Sequence, residues 1–507
     1  MHTSKEMLAF SDFPIPDDWP TFLPHRKVSE YLELYSEEFK IKQYIRFGRL
    51  VVNIVPQLDA SGLETGKWAV SSQSLLRKKS KNADPLLHRS ASNSSSAPSS
   101  SWLDIDSVPF GTPPLSPKSS QGQIDSSVKH LNLNSAVKCE VFDFVIVCTG
   151  HHWKPRMPDF IGMDTFSGKI LHSHAYRMPY SYKDDRVIVV GVGNSGMDIA
   201  SELSQHASQV HISSRSGTWI VPKTTLFGVP TDHLSTRLGH LIPRSILNFG
   251  MESLTKLHFG DLRKYGLSAR HDYLSAHPTV NEAVIGQLQS GKIQVHTNIA
   301  HINGNTVTFI DNTSIDVDVI IHCTGYLVEH PFLDHSIVGR EEEGSNRVQL
   351  YKHIFPINHK NLAFVGLVQP PGSILPVAEL QSRLIAKVIS GQIELPSPPD
   401  MRDSVSRDWQ RNCSDYIPRE RHTLQVDFGY MDMLAKRIGC LPDMWNLWKS
   451  NWKLASQVTF GPLVACQYRL TGPDTWDGAA AAIDAANSSI DLKHLIPQNL
   501  RQLLNIH

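Results

Sequence analysis

The chain has 507 residues with 49 basic and 49 acidic side chains, so its formal net charge is zero. This balance argues against a nucleic-acid or other polyanionic partner, and the length predicts two or three domains. The six cysteines show no C-x-x-C spacing, which favours reduced thiols inside the cell and argues against a dithiol reductase. Neither a signal peptide nor an apolar run of about 18 residues is present, so we expect a cytoplasmic protein.

The first seventy residues combine a proline-rich stretch, a helix and a strand. The prolines between residues 14 and 24 favour extended backbone and turns. Residues 27–39 carry apolar side chains at helical spacing, which predicts an amphipathic helix. A strand is predicted for residues 45–55. These residues are therefore expected to belong to a folded domain.

The composition changes between residues 71 and 135. Serine-rich runs, a basic patch and proline-rich turns replace the apolar residues, so burial cannot offset the entropy lost on ordering. We predict a disordered insertion. Thr112 and Ser116 each precede a proline and could accept phosphate, but a solvated linker is the favoured interpretation.

Residues 186–215 predict one strand–helix–strand unit. A β-branched run at residues 187–190 indicates a strand that is buried on both faces. Residues 197–205 carry apolar side chains at helical spacing, and residues 209–213 indicate a second strand. The glycines of this unit fall at the turn from the first strand into the helix.

That turn has the spacing Gly191-x-Gly193-x-x-Gly196. The first glycine permits a tight turn, the second lets the backbone approach a pyrophosphate, and the third lets helix and strand pack closely. The free N–H groups of the first helical turn also favour an anion. We therefore predict a dinucleotide site in which Asn194 and Ser195 place donors on the nicotinamide side. An ordinary strand–helix turn is the alternative.

The end of the second strand selects between the two nicotinamide cofactors. It continues into Ser214 and Arg215 rather than into Asp or Glu. An acidic residue would hold the ribose 2′-hydroxyl of NADH, whereas an arginine accommodates the 2′-phosphate of NADPH. We therefore predict NADPH, with both residues at the phosphate. A solvated surface arginine is the alternative.

Two buried-strand patterns, at residues 141–150 and 316–326, contain the same Cys-Thr-Gly ending. Their composition predicts matching strands that pass from one nucleotide-binding layer to the other. A chance similarity is the alternative, because buried strands share β-branched residues.

A further motif, Phe166-x-Gly168-x-x-x-His172-x-x-x-Tyr176, lies just before the glycine turn. It resembles the identifying motif of the flavin-containing monooxygenases, and Tyr176 separates it from the related Baeyer–Villiger fingerprint, which usually ends in Trp. The same residues could also form a linker with fixed turns. Similar segments cover most of the chain outside residues 71–135. They include residues 3–16, 148–152, 215–219, 277–281, 323–326, 365–370 and 460–462.

The resemblance implies an enzyme with one FAD-binding and one NADPH-binding domain. In the family, NADPH reduces the flavin, NADP⁺ stays bound, and oxygen adds to give a C4a-hydroperoxyflavin that oxygenates tertiary amines and sulfides. The expected partners are a small nucleophilic substrate and oxygen. By resemblance, His2 and Asn194 lie at the reacting centre, and Thr3, Asp198 and Gln369 contact the cofactors. The family usually has Asn where this chain has His2.

The family's FAD domain opens with its own strand–GxGxxG–helix unit, and this sequence contains none outside residues 186–215. We therefore expect an incomplete FAD domain beside a complete NADPH domain. The alternative function is a non-catalytic or truncated NADPH-binding protein that cannot hold FAD. The membrane-anchoring tail of many relatives is expected to be absent, and the resemblance implies at most peripheral association with the surface of the endoplasmic reticulum.

As a whole, the sequence predicts an α/β protein with two dinucleotide-binding Rossmann-like domains and a helical C-terminal extension. The histidines show no metal-ligand spacing, so no metal site is predicted. The predicted segments are an FAD-domain remnant at residues 1–70, the insertion at 71–135, an FAD-domain strand and crossover at 136–158, the NADPH domain at 159–313, the continued FAD domain at 314–395 and the helical region at 396–507.

Overall fold

The glycine turn lies in the larger of two units. A computed structural model describes residues 2–75, 136–225, 228–339, 346–417, 424–427 and 429–488. The first unit is formed by Met1–Lys42, Phe144–His330 and His335–His507, and the second by Gln43–Asp143 and Pro331–Asp334. The first unit contains a five-stranded parallel sheet, and the second contains a three-stranded antiparallel sheet.

Helices and strands alternate through the middle of the chain, whereas the C-terminal part is helical. The helices are α1 (Lys5–Leu8), α2 (His25–Glu38), α3 (Asn194–Leu203), α4 (Arg244–Phe259), α5 (Ala283–Gln289), α6 (Ile374–Ile389), α7 (Pro398–Asp415), α8 (Gly429–Ile438), α9 (Met444–Ser450), α10 (Trp452–Phe460) and α11 (Ala479–Ser488). The strands are β1 (Arg49–Leu58), β2 (Glu64–Ser74), β3 (Lys138–Phe142), β4 (Val145–Val147), β5 (Lys154–Pro155), β6 (Lys169–His172), β7 (Arg186–Val190), β8 (Gln209–Ser213), β9 (Ile220–Val221), β10 (Thr279–Val280), β11 (Ile293–His296), β12 (Ile299–Asn303), β13 (Thr306–Phe309), β14 (Ser314–Asp316), β15 (Val319–His322), β16 (Tyr326–Leu327), β17 (Leu350–Tyr351), β18 (Phe355–Pro356) and β19 (Leu362–Phe364).

The parallel sheet has the strand order β11-β8-β7-β15-β6. The β-branched side chains at the centre of β7 are fully buried, as expected for a parallel strand covered on both faces. The helix α3 follows β7 directly and packs its apolar face onto the sheet. The strands predicted at residues 187–190 and 209–213 and the helix predicted at 197–205 are confirmed.

The strand β15 lies between β7 and β6 in this sheet. The sequence analysis assigned residues 314–395 to the other nucleotide domain, so the boundary at residue 313 is corrected for this strand. All four of its residues are buried, which suits a position between two parallel neighbours. The matching strand β4 pairs with β19 instead, so the two Cys-Thr-Gly strands belong to different sheets.

The parallel pair of β4 and β19 is followed by the long helix α6. The apolar face of α6 enters a core that it shares with α7, α8, α10 and α11. This packing confirms a helical C-terminal region. No helix among the described residues is both long enough and apolar enough to cross a membrane.

The second unit is built on the antiparallel sheet β1-β2-β3. Residues 71–74 belong to β2, so the disordered insertion was predicted to start too early. Their serines are compatible with a strand because the backbone hydrogen bonds to both neighbouring strands, whatever the side chains are. The rest of the predicted insertion, from residue 76 to residue 135, lies outside the described residues. The predicted helix at residues 27–39 corresponds to α2 in the first unit.

Candidate cofactor and substrate site

The turn between β7 and α3 brings backbone close to backbone. Gly191 has a φ of +120°, and a Cβ there would lie 2.5 Å from the carbonyl oxygen of Cys323. A Cβ at Gly196 would collide with the carbonyl oxygen of Gly191. A Cβ at Gly193 would meet no atom within 4 Å. Packing therefore requires two of the glycines, whereas the third faces open space.

The open space at Gly193 lies at the N-terminus of α3. Gly193 is the N-cap residue, its backbone is extended, and no side chain caps the helix. The N–H groups of the first turn therefore lack a side-chain acceptor, and the helix dipole favours an anion beside them. These features fit the pyrophosphate of a dinucleotide.

Asn194 and Ser195 form the first turn of α3. The Asn194 Oδ1 atom accepts a hydrogen bond from the backbone N–H of Val280 at 2.9 Å. The hydroxyl of Thr279 donates to the carbonyl of Val192 at 2.8 Å. Ser195 is exposed. Asn194 therefore holds β10 against the glycine turn, and the Ser195 hydroxyl lies at the surface of the turn.

Ser214 and Arg215 follow β8, next to the glycine turn. The Ser214 hydroxyl is buried and accepts the backbone N–H of Gly217 at 3.0 Å. Arg215 is exposed, and its guanidinium has no hydrogen-bond or ion-pair partner within the described part of the chain. Ser214 thus shapes the loop, while Arg215 carries a positive charge that is available to a ligand.

Asp198, one turn along α3, joins two other parts of the chain. Its Oδ2 atom lies 3.0 Å from Nε2 of His2, and its Oδ1 atom accepts the Nδ2–H of Asn281 at 2.8 Å. The side chains of His2 and Asp198 are 30% and 47% exposed, so the network borders solvent. The predicted residues His2 and Asp198 are therefore brought together, beside the glycine turn.

The N-terminal segment is fixed by buried polar contacts. The backbone N–H of Ser4 donates to Asp232 at 2.7 Å, and the Ser4 hydroxyl lies 3.1 Å from Nε2 of His233. Burial raises the pKa of Asp232, although the hydrogen bond from Ser4 opposes this. Burial alone would raise the pKa of Glu6, but hydrogen bonding, first to His233, lowers it overall. Thr3 is half-buried beside this anchor.

Sequence spacing gave no signal for Asp232 and His233, because they are far from Ser4 along the chain and lie in a short 3-10 helix, Thr231–Leu234. The anchor they form was therefore missed. The sequence allows two functions for Asn281, which are lining the substrate approach and capping a nearby helix. Its hydrogen bonds to Asp198 and to the backbone of Val284 give it two functions, one at the site and one at the start of α5.

His277, two residues before β10, contacts the loop after β19. Burial lowers the pKa of its imidazole, and hydrogen bonding to the backbone of Pro370 and Gln369 opposes this. The backbone of Gln369 also pairs with residues 424–426, through a 2.6 Å hydrogen bond to the carbonyl of Leu424 and a second from Val426. Gln369 is therefore positioned mainly by its backbone.

Two glycines lie at the carboxyl ends of β4 and β19. Gly150 and Gly366 have φ values of +67° and +77°, and a Cβ on either would meet no atom within 4 Å. The backbone N–H of Val365 donates to Val147, so the two strand ends are adjacent. Ligands of parallel α/β sheets bind outside this edge. These loops fit the approach of a flat cofactor such as a flavin.

The residues of the 166–176 motif mainly join neighbouring strands, loops and helices to one another. Phe166 packs against the core beneath the sheet, and Gly168 is so close to Asp318 and Phe166 that a Cβ would collide with both. The Nε2 atom of His172 lies 3.0 Å from the carbonyl of Gly325, and burial lowers its pKa to about 4. The Tyr176 hydroxyl donates to Glu202 of α3 at 2.8 Å.

The described residues contain no group of three or more His, Cys, Asp or Glu side chains placed to hold a metal ion.

The family model described as flavin-binding monooxygenase-like matches residues 1–96 and 115–502. The chain belongs to the flavin-binding monooxygenase-like family. The family predicted from the 166–176 motif is thereby confirmed, and the protein is a flavin-dependent monooxygenase by family. FAD and NADPH, the cofactors predicted from the sequence, are the cofactors of this family.

Curated relatives agree over nearly the whole chain. Human flavin-containing monooxygenase 5 is 34% identical over 494 residues, which cover 95% of this chain and 80% of the relative. Rat dimethylaniline monooxygenase (N-oxide-forming) 2 is 34% identical over 493 residues, with the same coverage.

Solved structures share the fold. The S-allyl-L-cysteine S-oxygenase of Allium sativum has a TM-score of 0.56 and 22% identity, and the match covers 96% of this chain and 82% of that one. Cyclohexanone monooxygenase of Rhodococcus sp. Phi1, bound to NADP⁺, has a TM-score of 0.52 and 14% identity, with coverages of 87% and 88%. These likenesses confirm the predicted α/β class with dinucleotide-binding folds.

Proposed function

We propose that this member of the family is an NADPH- and FAD-dependent monooxygenase that oxygenates soft nitrogen or sulfur nucleophiles. The observation that carries the proposal is the open, uncapped helix N-terminus at Gly193, with the unpaired guanidinium of Arg215 nearby. A pyrophosphate suits the first feature, and a 2′-phosphate suits the second.

The predicted residues of the glycine turn then divide into those that form the turn and those that contact the ligand. Gly191 and Gly196 make the turn, and Gly193 leaves room for the pyrophosphate. The N–H groups at Asn194 and Ser195 would donate on the nicotinamide side of the pyrophosphate. Asn194 also holds β10 in place, so its substitution would disturb the turn as well as the ligand. The turn is therefore the rigid part of the site.

His2 and Asp198 would form the boundary of the reacting centre. Because Asp198 holds Nε2 of His2, the ring has a defined orientation. The Nδ1 atom of His2 is buried and has no hydrogen-bond partner among the described residues, so it is available to a bound group. Asn281 restrains the other oxygen of Asp198 and thereby fixes the carboxylate. Thr3, the next residue along the chain, would contact the bound cofactor.

The flavin would be held by the N-terminal segment and the loops at Gly150 and Gly366. FAD, when bound, supplies the reduction of oxygen and the transfer of one oxygen atom to the substrate. The contribution of the protein is to orient the nicotinamide ring and to exclude water. His277 and Gln369 support this by tying the two cofactor regions together through backbone contacts.

The names of the similar proteins support the substrate class. Relatives are named for N-oxide formation on dimethylaniline, and one protein of the same fold is named for S-oxygenation. We therefore propose tertiary amines and thioethers as substrates, with oxygen as the co-substrate.

The test is the visible spectrum of the purified chain, followed by assay with NADPH, oxygen and either N,N-dimethylaniline or a thioether. We expect a bound flavin and an N-oxide or S-oxide detected by mass spectrometry. A colourless, folded protein that still binds NADPH would contradict the enzyme assignment and support the alternative of an NADPH-binding protein without flavin. The single GxGxxG in the sequence is the observation that favours this alternative.

We also propose peripheral association with the endoplasmic reticulum surface. Exposed apolar side chains on α4, α9 and α10 support it, including Phe249, Trp445 and Trp452, which are 75%, 72% and 72% exposed. Co-sedimentation with anionic lipid vesicles should retain the protein, and a substantial loss of binding is expected for the Trp445→Ser, Trp452→Ser double variant. A protein that stays in the supernatant would contradict peripheral membrane association.

A further inference from the structure

The loop that carries Arg215 is bound along its length to the segment at residues 268–271. The backbone N–H of Arg270 donates to the carbonyl of Ser216 at 3.1 Å. The indole N–H of Trp219 donates to the carbonyl of His271 at 2.8 Å. The two segments therefore have a fixed alignment, in which Arg270 lies opposite the residue that follows Arg215.

Gly217 shows how closely these segments approach. Its φ is +67°, and a Cβ there would collide with the carbonyl of Ser268 and with the backbone N of Ala269. Only a glycine permits this separation without a shift of the backbone. The loop after β8 is thus built around contact with the 268–271 segment. This contact requires a glycine at residue 217, a requirement that a loop exposed to solvent would not have.

Both arginines present their charge to solvent. Arg215 and Arg270 are exposed, and neither guanidinium has a hydrogen-bond or ion-pair partner among residues in the described ranges. The nearby Arg263 differs, since it forms an ion pair with Asp261 at 2.8 Å. Between residues 262 and 281 the sequence contains one acidic residue, Asp272. Two uncompensated positive charges therefore lie on neighbouring backbone segments.

We propose that Arg270 is a second arginine for the 2′-phosphate of NADPH and acts together with Arg215. A phosphate monoester carries nearly two negative charges at neutral pH, and each guanidinium can donate two parallel hydrogen bonds to its oxygens. Arg215 alone would leave part of that charge uncompensated. This inference rests on the proposed NADPH site and adds a specificity-determining residue that the sequence did not reveal.

The experiment measures binding, so it does not depend on flavin or on turnover. The full chain is titrated by calorimetry with adenosine 2′,5′-bisphosphate and with 5′-AMP, which differ in the 2′-phosphate. We expect Arg270→Ala to weaken binding of the bisphosphate by roughly tenfold and binding of 5′-AMP by less than about twofold. Arg270→Lys should retain part of the preference, because it keeps the charge but loses the bidentate geometry.

Arg263→Ala is the matched control, since it removes an exposed arginine from the same region that is already paired. It should leave both affinities unchanged. Arg215→Ala should weaken binding of the bisphosphate as Arg270→Ala does. Both variants should also lose more affinity for NADPH than for NADH.

The possible failures are distinguishable. If Arg215→Ala lowers the preference for the 2′-phosphate but Arg270→Ala does not, Arg270 is a surface arginine and this inference is wrong. If the wild-type chain shows no preference for the bisphosphate, the proposed NADPH site itself is wrong. Equal loss of both ligands in Arg270→Ala, with an unchanged melting temperature, would also contradict a contact specific to the 2′-phosphate.

Discussion

The two regions that we propose to bind nucleotides end their central strands in different ways. In the glycine-turn sheet, β7 passes into α3 within a few residues, and the N-cap Gly193 leaves the first-turn N–H groups without a side-chain acceptor. In the β4–β19 region, α6 begins at Ile374, and its N-cap Ser373 accepts the backbone N–H of Leu375 at 3.2 Å. The N–H groups of α3 are therefore free to donate to an anion, whereas the side chain of Ser373 already accepts one N–H group at the start of α6.

This difference teaches that a parallel strand followed by a helix is not by itself an anion site. The strand ends at Gly150 and Gly366 offer space and left-handed backbone, which suit a flat ring system. The turn at Gly193 offers unpaired donors, which suit a phosphate. We expect nicotinamide binding to depend on a few residues of the glycine turn, and flavin binding to depend on contacts spread over several segments.

The largest expected effect comes from Gly193→Val. The backbone at Gly193 is extended and has open space around the Cβ position, so the variant should fold with an unchanged melting temperature. The new side chain would occupy the place of the pyrophosphate and weaken NADPH binding by roughly 100-fold, or about 2.7 kcal/mol. Calorimetry measures this. Retention of near wild-type NADPH affinity would contradict the assignment of the Gly193 turn as the anion site.

The second largest effect is expected in the pH dependence of the unfolding free energy of the glycine-turn sheet. His211 of β8 is buried and its Nδ1 atom lies 3.0 Å from Nε2 of His296; burial, then repulsion from His296 and Arg186, lowers its pKa to about 4. The unfolded side chain binds a proton near pH 6.5, so between pH 6.5 and 4 the unfolded state binds more protons. Stability should therefore fall as the pH falls through this window.

Replacing His211 by Gln should flatten this pH dependence by up to about 2 kcal/mol, because solvent screening reduces the effect of the pKa shift. Chemical denaturation at several pH values between 4 and 7 measures the slope. The control is His301→Gln, because His301 is exposed on β12. Equal slopes in the wild type and in His211→Gln would show that His211 does not contribute to the acid sensitivity of the sheet.

A smaller effect is expected for Gly196→Ala, which tests packing rather than ligand binding. Its Cβ would collide with the carbonyl oxygen of Gly191, so helix and strand must move apart. Overpacking of this kind costs about 1–3 kcal/mol of unfolding free energy. Gly286→Ala in α5 is a matched control, since a Cβ there meets no atom within 4 Å. Similar melting temperatures for the two variants would contradict the close approach.

The smallest effect is expected for Asp198→Asn. The pair with His2 borders solvent, so its loss should change the unfolding free energy by less than about 1 kcal/mol. The orientation of His2 should become less defined, which we expect to raise the share of hydrogen peroxide released relative to oxygenated product. Asp184→Asn, at an exposed turn, provides the comparison. An unchanged product ratio would show that Asp198 does not position His2.

The β7–α3–β8 unit of the glycine-turn sheet was largely predictable from sequence, because its two strands, turn and helix are contiguous between residues 186 and 213. The position of β15 was not, because it enters the same sheet from a distant part of the chain and its buried composition suits either nucleotide domain. The pairing of Ser4 with Asp232 was also unpredictable, since no periodicity links them. Arg270 escaped notice for the same reason: only the backbone contact with Ser216 brings it near Arg215.

The most direct test of the account is an anaerobic titration of the purified full chain with NADPH, followed through the visible absorbance of the flavin. We predict that the flavin band bleaches with one equivalent of NADPH, and that Gly193→Val retains the band but resists bleaching at the same concentration. A chain that contains flavin and is reduced equally well in both forms would contradict the account.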